Sequence, residues 1–337
     1  MTERGPLRLG FLMFPGFPMA CLTQAIEPLR AANEITGRQE FVWTLVAETA
    51  APVRSSAEIG FDPDVTLQAV EGLDHLYLLS PPTAAFVDAR RSPARLRWLD
   101  RTGVLIGAFS GGIFPLARAG LMEGRACSVH WCYEAAFKAD FPDTPAREVT
   151  ILREGRRITA SGAGAVFDLM LQLIEERLGR DCMTEVACWF QHPFVRDASA
   201  SQKVPVARSG GARSGSTTDS LPIAIREAIR LFETHVEDPL RIPDVAQAVG
   251  LSGRHFERLF KRETGQSPLR YYHHLRLMKA RQRVLYSGDS LREIAVSVGY
   301  MTSSPMIRHY TEIFGVSPRE ERRLTQGHRN MPAQAAE

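Results

Sequence analysis

An internal repeat in the C-terminal third of the chain limits what this sequence can fold into more than any other feature. The segment IPDVAQAVGLSGRHFERLFKRETGQSP, from Ile242, matches LREIAVSVGYMTSSPMIRHYTEIFGVSP, from Leu291, with one residue inserted. Each copy predicts a short helix with a small alanine, a glycine at a tight turn, and a second amphipathic helix that exposes basic side chains. This is the layout of a helix-turn-helix, so the repeat predicts two such units.

The segment Leu269–Leu285 between the two copies is predicted to be one continuous helix that holds the two units rigidly apart. Two second helices joined in this way could enter successive major grooves, about 34 Å and one DNA turn apart. From Ile223 onward the apolar residues recur at helical spacing without strand-like alternation. We therefore predict an all-α domain with two helix-turn-helix units at 221–325, followed by a disordered tail at 326–337.

The net charge of +3 conceals an uneven distribution along the chain. Residues 1–196 hold 20 Lys and Arg against 23 Asp and Glu, a net charge of −3, whereas residues 220–337 hold 18 against 13, a net charge of +5. Basic charge collected in one segment is expected of a part that meets a polyanion. The charge distribution therefore favours double-stranded DNA as the partner of the C-terminal segment.

The stretch between these two segments predicts a linker. It reads DASASQKVPVARSGGARSGSTTDSL from Asp197 and contains few large apolar residues but many Ser, Gly and Ala. Such a composition cannot bury enough surface to fold alone. We predict a flexible linker at 197–220, which leaves 1–196 as a separate N-terminal domain.

The N-terminal domain shows short apolar runs that alternate with amphipathic stretches. This alternation predicts an α/β fold with a doubly wound, mostly parallel sheet covered by helices on both faces. The predicted strands are Leu9–Phe14, Phe41–Ala47, Leu76–Ser80 and Val104–Phe109. The predicted helices are Ala20–Ile35, Pro93–Arg101, Gly112–Ala119 and Val166–Leu178.

A sharp turn is predicted where one of these strands runs directly into a helix. Strand Val104–Phe109 is followed by Ser110, Gly111 and Gly112, an arrangement like the nucleophile elbow of α/β hydrolases. Such a turn exposes the serine at the carboxyl edge of the sheet and directs backbone N–H groups toward a ligand. The turn therefore predicts a small-molecule site.

A histidine and a tryptophan are expected near the same edge. His130 and Trp131 follow a short predicted strand, Ala126–Val129, and one interpretation is a His-Trp pair packed in the core. The functional interpretation is an aromatic wall of Trp131 with Phe14 or Phe109, and a negative pole at Glu27. Because a ring face attracts an ammonium group, such a pocket suits a cationic or amino-acid-like metabolite.

Other classes of site and location are disfavoured. The cysteines are odd in number and scattered, with no C-x-x-C pair and no histidine at metal spacing, so we expect no disulfide framework, metal or cofactor. The first apolar run, before Pro15, is too short for a signal segment, and no apolar stretch is long enough for a membrane span. We expect a cytoplasmic protein without a membrane partner.

The repeat resembles the DNA-binding domain of the AraC/XylS family across about 223–323, through GLSGRHFERLFKRETGQSPLRYY and the later GY and FGVSPRE. The segment departs from the family at SSPMIRHY, where Pro305 is unusual and Met306 replaces an aromatic residue. A solvated basic face is the alternative reading of the charged side chains. The resemblance implies base contacts by Arg254, Glu257 and Arg258 in the first unit and by Ser303, Ser304 and Arg308 in the second. We expect contacts with phosphate or solvent for four other side chains, those of Lys261, Arg262, Arg281 and His309.

The N-terminal domain resembles the class I glutamine amidotransferase-like, PfpI-type domains that occur fused to AraC-type regulators, across about 7–196. The resemblance lies in LGFLMFPGF, AIEPLRAAN and AGLMEGRACSVHW. Related hydrolases carry a cysteine at the elbow, usually followed by the catalytic histidine, and Glu27 would match their acidic residue. Because Ser110 is followed by glycine here, we expect a pocket without catalytic residues. The alternatives are an amidase or peptidase fused to a DNA-binding domain, and an architectural DNA-binding protein that has no ligand.

The combination of FPGF, EPLRAAN, PVRSS, SGGIFPLARAGLMEGR and SVHW is most like regulators of glycine-betaine, carnitine or arginine catabolism. This likeness implies a transcription activator that responds to a small effector. Glycine betaine, carnitine and arginine are the candidate effectors. It also implies a homodimer that presents its DNA-binding domains to adjacent half-sites and acts on RNA polymerase.

Overall fold

The computed structural model describes residues 5–192 and 221–329. Contacts divide the chain into two compact units, with the boundary between Gln202 and Lys203. The predicted linker, 197–220, lies outside the described residues, as does 330–337 of the predicted tail. Each unit is described by itself.

The N-terminal unit is built on a seven-stranded sheet with the order β10-β11-β7-β6-β1-β2-β5, and two-stranded pairs β3-β4 and β8-β9 accompany it. All pairings in the main sheet are parallel except that between β10 and β11. The strands are β1 Leu7–Met13, β2 Phe41–Ala47, β3 Val53–Arg54, β4 Gly60–Phe61, β5 Val65–Thr66, β6 His75–Ser80, β7 Leu105–Ser110, β8 Cys127–Ser128, β9 Ala146–Arg147, β10 Ile151–Glu154 and β11 Arg157–Ala160.

Helices cover both faces of this sheet. Helices α1, α5 and α6 pack on one another and share a core with Phe11, Tyr77 and Phe109 of the sheet, while α3 contacts β6 and β7 and α2 contacts β7. Leu76 and Leu78 alternate with Tyr77 along β6, and all three are fully buried, as expected for a strand covered on both sides. The helices are α1 Met19–Thr36, α2 Arg91–Arg101, α3 Ile113–Arg118, α4 Glu134–Asp140, α5 Ala163–Leu178 and α6 Arg180–Trp189.

The doubly wound α/β fold predicted from the sequence is confirmed. Each of the four predicted strands lies within two residues of β1, β2, β6 or β7. The prediction did not include the antiparallel edge strand β10, the strand β11 or helix α6, because these elements are short or carry several charged side chains.

In the described residues of the C-terminal unit, all regular secondary structure is helical. Helix α10 contributes to two apolar clusters, one with α7, α8 and α9 and one with α11 and α12. Its bounds are close to the predicted 269–285, whereas α13 continues four residues beyond the predicted domain end at 325. The helices are α7 Ile223–Thr234, α8 Ile242–Ala248, α9 Gly253–Thr264, α10 Pro268–Tyr286, α11 Leu291–Ser297, α12 Ser303–Phe314 and α13 Pro318–Arg329.

The two repeats have matching backbone geometry. Gly250 and Gly299 follow the first helix of each repeat with φ of +72° and +74°, in the left-handed region that favours glycine. At Gly299 a Cβ would also lie 2.5 Å from the ring of Pro239. Each repeat is therefore a helix, a glycine turn and a second helix, as predicted. Within the described residues, no helix is long and apolar enough to cross a membrane.

Candidate functional sites: the elbow edge and the DNA interface

The turn after β7 has an unusual backbone conformation. Ser110, the last residue of β7, has a φ of +54°, which non-glycine residues rarely adopt. A Cβ on Gly111 would lie 2.3 Å from the carbonyl oxygen of Ser80, and one on Gly112 would lie 1.9 Å from that of Leu78. Only glycine allows the chain to leave β7 so close to the backbone of β6. The geometry is that of the strand-to-helix elbow expected from the sequence.

This elbow lies beside the point where the strand order of the sheet reverses. From β1 the chain crosses to β2 on one side, and later strands continue from β6 on the other. In open α/β sheets, ligands bind outside the carboxyl ends of the strands at such a point. Phe14 follows β1, and Ser80 ends β6 in register with Ser110. We call the carboxyl ends of β1, β6, β7 and β11 the elbow edge.

Ser80 was not among the predicted site residues. Its side chain is 1% exposed, and its Oγ has no hydrogen-bond partner within the described residues. The available sequence signal was a serine that closes the otherwise apolar end of HLYLLS, one strand away from the elbow. The absence of a partner for the hydroxyl is a property of the folded structure that the sequence pattern does not contain.

His130 and Trp131 are associated with the elbow edge through β11. A Cβ on Gly162, two residues after β11, would lie 3.0 Å from Cδ2 of His130. The His130 ring lies 5.6 Å from the ring of Trp131 and 5.3 Å from that of Tyr133, measured between centroids. Because β11 pairs with β7, this aromatic segment lies one strand away from the elbow.

Phe14 and Phe109 differ in their environments. Phe14 donates its backbone N–H to the carbonyl of Leu79 at 3.0 Å, and its ring contacts Phe86 edge-on with centroids 5.4 Å apart. Phe109 is stacked on Tyr77 at 4.5 Å inside the core, on the side of the sheet covered by α1 and α5. Of the two rings offered for an aromatic wall, only Phe14 follows a strand at the elbow edge.

Ser110 has no base among the described residues that would activate its hydroxyl as a nucleophile. Its hydroxyl makes no hydrogen bond within the described residues, whereas a nucleophilic serine needs a base within hydrogen-bond reach. The Nδ1 atom of His130 instead accepts the backbone N–H of Cys132 and lies 2.9 Å from its Sγ. Burial lowers the pKa of His130 and raises that of Cys132 to about 12, so both side chains are neutral near pH 7.

Glu27 is half-exposed on α1 and is paired with a cation. It is in the third turn of α1, about 12 Å along the helix axis from Met19, and its Oε2 accepts from Nε of Arg30 at 3.0 Å. A negative pole at Glu27 therefore has no support from its placement, and we leave Glu27 out of the proposed pocket.

The second helix of each repeat presents its predicted base-contacting side chains to solvent. On α9, Ser252 caps the helix by accepting the backbone N–H of His255, and Phe256 and Phe260 anchor it in the core. The same helix exposes Arg254, Glu257 and Arg258, while α12 exposes Ser304 and Arg308 and leaves Ser303 half-buried.

The departure at Pro305 and Met306 does not disrupt α12. Met306 is completely buried at the position that corresponds to Phe256 of α9, so a flexible side chain fills the place of the aromatic ring. Pro305 is the third residue of α12, in the first turn, where backbone N–H groups have no partner within the helix. The helix therefore keeps its exposed face.

Helix α10 is bound to the second helix-turn-helix by a buried guanidinium. Nε and Nη2 of Arg276 donate to the carbonyls of Val298 and Gly299, both at 2.7 Å. The guanidinium also lies over the ring of Tyr300, 4.6 Å from its centroid. Arg276 thus fixes the turn between α11 and α12 against the connecting helix.

Two residues assigned to phosphate or solvent have other partners. Nε of Arg281 donates to Oε1 of Glu321 at 2.8 Å, and the guanidinium lies over the ring of Phe314. His309 forms a hydrogen bond with the hydroxyl of Tyr300 at 3.2 Å. Arg281 and His309 therefore stabilise the packing of the second unit, whereas Lys261 and Arg262 lie on the exposed face of α9.

The chain is similar to known regulators of transcription. A family model described as a helix-turn-helix domain matches residues 245–324. The regulator GbdR of Pseudomonas aeruginosa is 31% identical over 95% of this chain and 85% of its own length, and ArgR of the same organism is 32% identical over 96% and 94%. A crystal structure of an AraC family transcriptional regulator from Pseudomonas putida is 22% identical over 55% of this chain and all of its own, with a TM-score of 0.49.

A doubly wound α/β unit, followed in the chain by two helix-turn-helix units, defines a DNA-binding transcriptional regulator. The chain belongs to the AraC/XylS family of transcriptional regulators.

Proposed function

We propose that this regulator binds a small amine or amino-acid metabolite at the elbow edge and activates catabolic genes in response. The observation that carries the proposal is the elbow at Ser110, beside the reversal of strand order, with no base in contact with the hydroxyl. Arg258 and Arg308 contact bases in successive major grooves, one from each helix-turn-helix. Glycine betaine, carnitine and arginine are the candidate effectors.

The metabolite can change transcription only if it binds one arrangement of the protein better than another. We propose that the protein acts as a cytoplasmic homodimer that places its DNA-binding units on adjacent half-sites and contacts RNA polymerase there. The pocket is the ordinary site for a ligand in an open α/β sheet, and the units on the C-terminal side supply the contacts to DNA.

A hydrolase is the second candidate because the elbow itself is preserved. The positive φ of Ser110 and the close approach of Gly111 to β6 are the geometry that hydrolases use to expose a nucleophile. The Nδ1 atom of His130 is paired with Cys132 rather than with the Ser110 hydroxyl, which argues against proton transfer from Ser110. Turnover of an amide that disappears in Ser110→Ala would favour the hydrolase instead.

We expect one of the candidate effectors to raise the melting temperature of the purified full chain in a saturable way. A ligand that binds only the folded state stabilises it by about 2.7 kcal/mol at one hundred times its Kd. Trp131→Ala is expected to abolish the shift because it removes the ring that faces the ammonium group. The measurement is a thermal-shift titration with glycine betaine, carnitine, dimethylglycine and arginine.

Trp98→Ala is the matched control for this titration. Trp98 is half-exposed near the end of α2, the helix that leads into the opposite, amino end of β7, so its removal should leave the ligand shift intact. No saturable shift with any of these compounds, or an equal loss in Trp98→Ala, would contradict the proposed aromatic site.

A further inference from the structure

We propose that the elbow edge recognises a carboxylate, held by the hydroxyls of Ser80 and Ser110 and the backbone N–H of Gly111. The inference rests on the proposed ligand site and names the part of the ligand that the site selects. A zwitterionic metabolite then binds with its carboxylate at β6 and β7 and its ammonium group toward the aromatic segment at β11.

The first observation is the buried hydroxyl of Ser80. Four buried side-chain nitrogen or oxygen atoms in the described residues lack a hydrogen-bond partner, and Ser80 Oγ is one of them. A buried polar group without a partner destabilises the fold, so native structures keep few of them outside sites where a ligand or water completes the bonding. Its location at the reversal of strand order indicates a ligand.

The second observation is that further donors lie beside Ser80. Ser80 and Ser110 are direct partners in the pairing of β6 with β7, and neighbouring strands are about 4.8 Å apart. Within residues 5–192, neither the Ser110 hydroxyl nor the N–H of Gly111 has an acceptor. Three donors at two neighbouring strand ends suit an anionic oxygen, which is the strongest acceptor that a small metabolite offers.

The local charge agrees with an anionic group. Nη2 of Arg118 donates to the carbonyl of Pro82 at 3.3 Å, and Nη1 donates to that of Ala84. A guanidinium is thereby fixed against the loop that leaves β6 just after Ser80. Arg118 also pairs with Asp140 at 3.5 Å. Both side chains are one-third exposed, so solvent weakens this ion pair.

The opposite end of the ligand meets neutral rings. The rings of Trp131 and Tyr133 lie near that of His130, whose Nδ1 is paired with Cys132 and whose pKa is lowered by burial. Neutral aromatic rings attract an ammonium group, whereas a charged imidazole would repel it. The distance from β7 to β11 is one strand spacing, about 5 Å, which suits a short zwitterion.

The test compares ligands that share a cation but differ in the carboxylate. Glycine betaine is paired with choline, and arginine with agmatine, in thermal-shift titrations of the full chain. For the pair that binds, we expect the wild type to bind the carboxylate member at least tenfold more tightly. Ser80→Ala should weaken binding of the carboxylate compound about tenfold and leave binding of the compound without a carboxylate unchanged.

Thr150→Val is the control because Thr150 Oγ1 is also buried and without a partner among the described residues, yet Thr150 precedes β10, three strands from β6 in the sheet order. Both substitutions remove a hydroxyl that makes no bond, so both proteins should fold, and only Ser80→Ala should lose affinity. Equal binding of both members of a pair, or equal weakening of both by Ser80→Ala, would overturn the carboxylate assignment. No shift with any compound would overturn the proposed sensory function, and this inference with it.

Discussion

Gly112→Ala is expected to prevent the N-terminal unit from folding stably. The added Cβ would lie 1.9 Å from the carbonyl oxygen of Leu78, 2.6 Å from its carbonyl carbon and 3.0 Å from the carbonyl oxygen of Phe109. All three atoms belong to the backbone of β6 and β7, at the centre of the sheet, so no side-chain rearrangement relieves the contact. We expect a loss of more than about 3 kcal/mol.

Tryptophan fluorescence measures this effect without interference from the other unit, because Trp43, Trp98, Trp131 and Trp189 all precede the boundary. Urea titrations of the full chain should show the fluorescence transition at a much lower concentration in Gly112→Ala. Gly60→Ala is the control, since a Cβ there meets nothing within 4 Å. Coincident transitions for the two variants would show that the elbow is not packed as described.

Arg276→Ala is expected to loosen the second helix-turn-helix and weaken DNA binding through it. The substitution leaves the carbonyls of Val298 and Gly299 without their donor and removes the group that lies over Tyr300. Two unpaired carbonyls and the lost packing together cost about 3 kcal/mol. Because that turn precedes α12, we expect Arg308 to lose its fixed position on DNA.

Circular dichroism melting of the helical signal measures the stability change, and DNA affinity measures the consequence. Arg276→Lys should give an intermediate result, since an ammonium group cannot donate in the planar fork that reaches both carbonyls. Arg270→Ala, an exposed position on the same helix, is the matched control. A melting temperature for Arg276→Ala equal to that of Arg270→Ala would contradict the structural role.

The sequence predicted those parts of the fold that depend on local pattern. Buried parallel strands such as β1 and β7 appear as apolar runs, and the repeat places both helix-turn-helix units because glycine turns and helix caps recur at fixed spacing. Strand β11 was not predicted, since its four residues, RITA, begin with a buried arginine. That residue, Arg157, forms an ion pair with Asp100 that depends on the tertiary fold.

The functional side chains also divide into those that a local sequence pattern predicts and those whose role depends on the tertiary fold. The elbow at Ser110 could be predicted because its glycines mark a close approach of the backbone. Ser80 and Arg276 could not, because their importance depends on which partners surround them after folding. The pairing of Arg281 with Glu321 could not be predicted, because a charged residue on a helix has the same sequence pattern whether it contacts DNA or an internal carboxylate.

The most direct test of the central claim is selection of binding sites from a random duplex library by the full chain, by Arg258→Ala and by Arg308→Ala. The account predicts two preferred blocks of bases for the wild type, about one helical turn apart, with each variant losing preference in a different block. Each variant should also bind the wild-type site more weakly, by about 1–3 kcal/mol. No preferred sequence, or the same loss in both blocks for both variants, would contradict reading of DNA by two separate helix-turn-helix units.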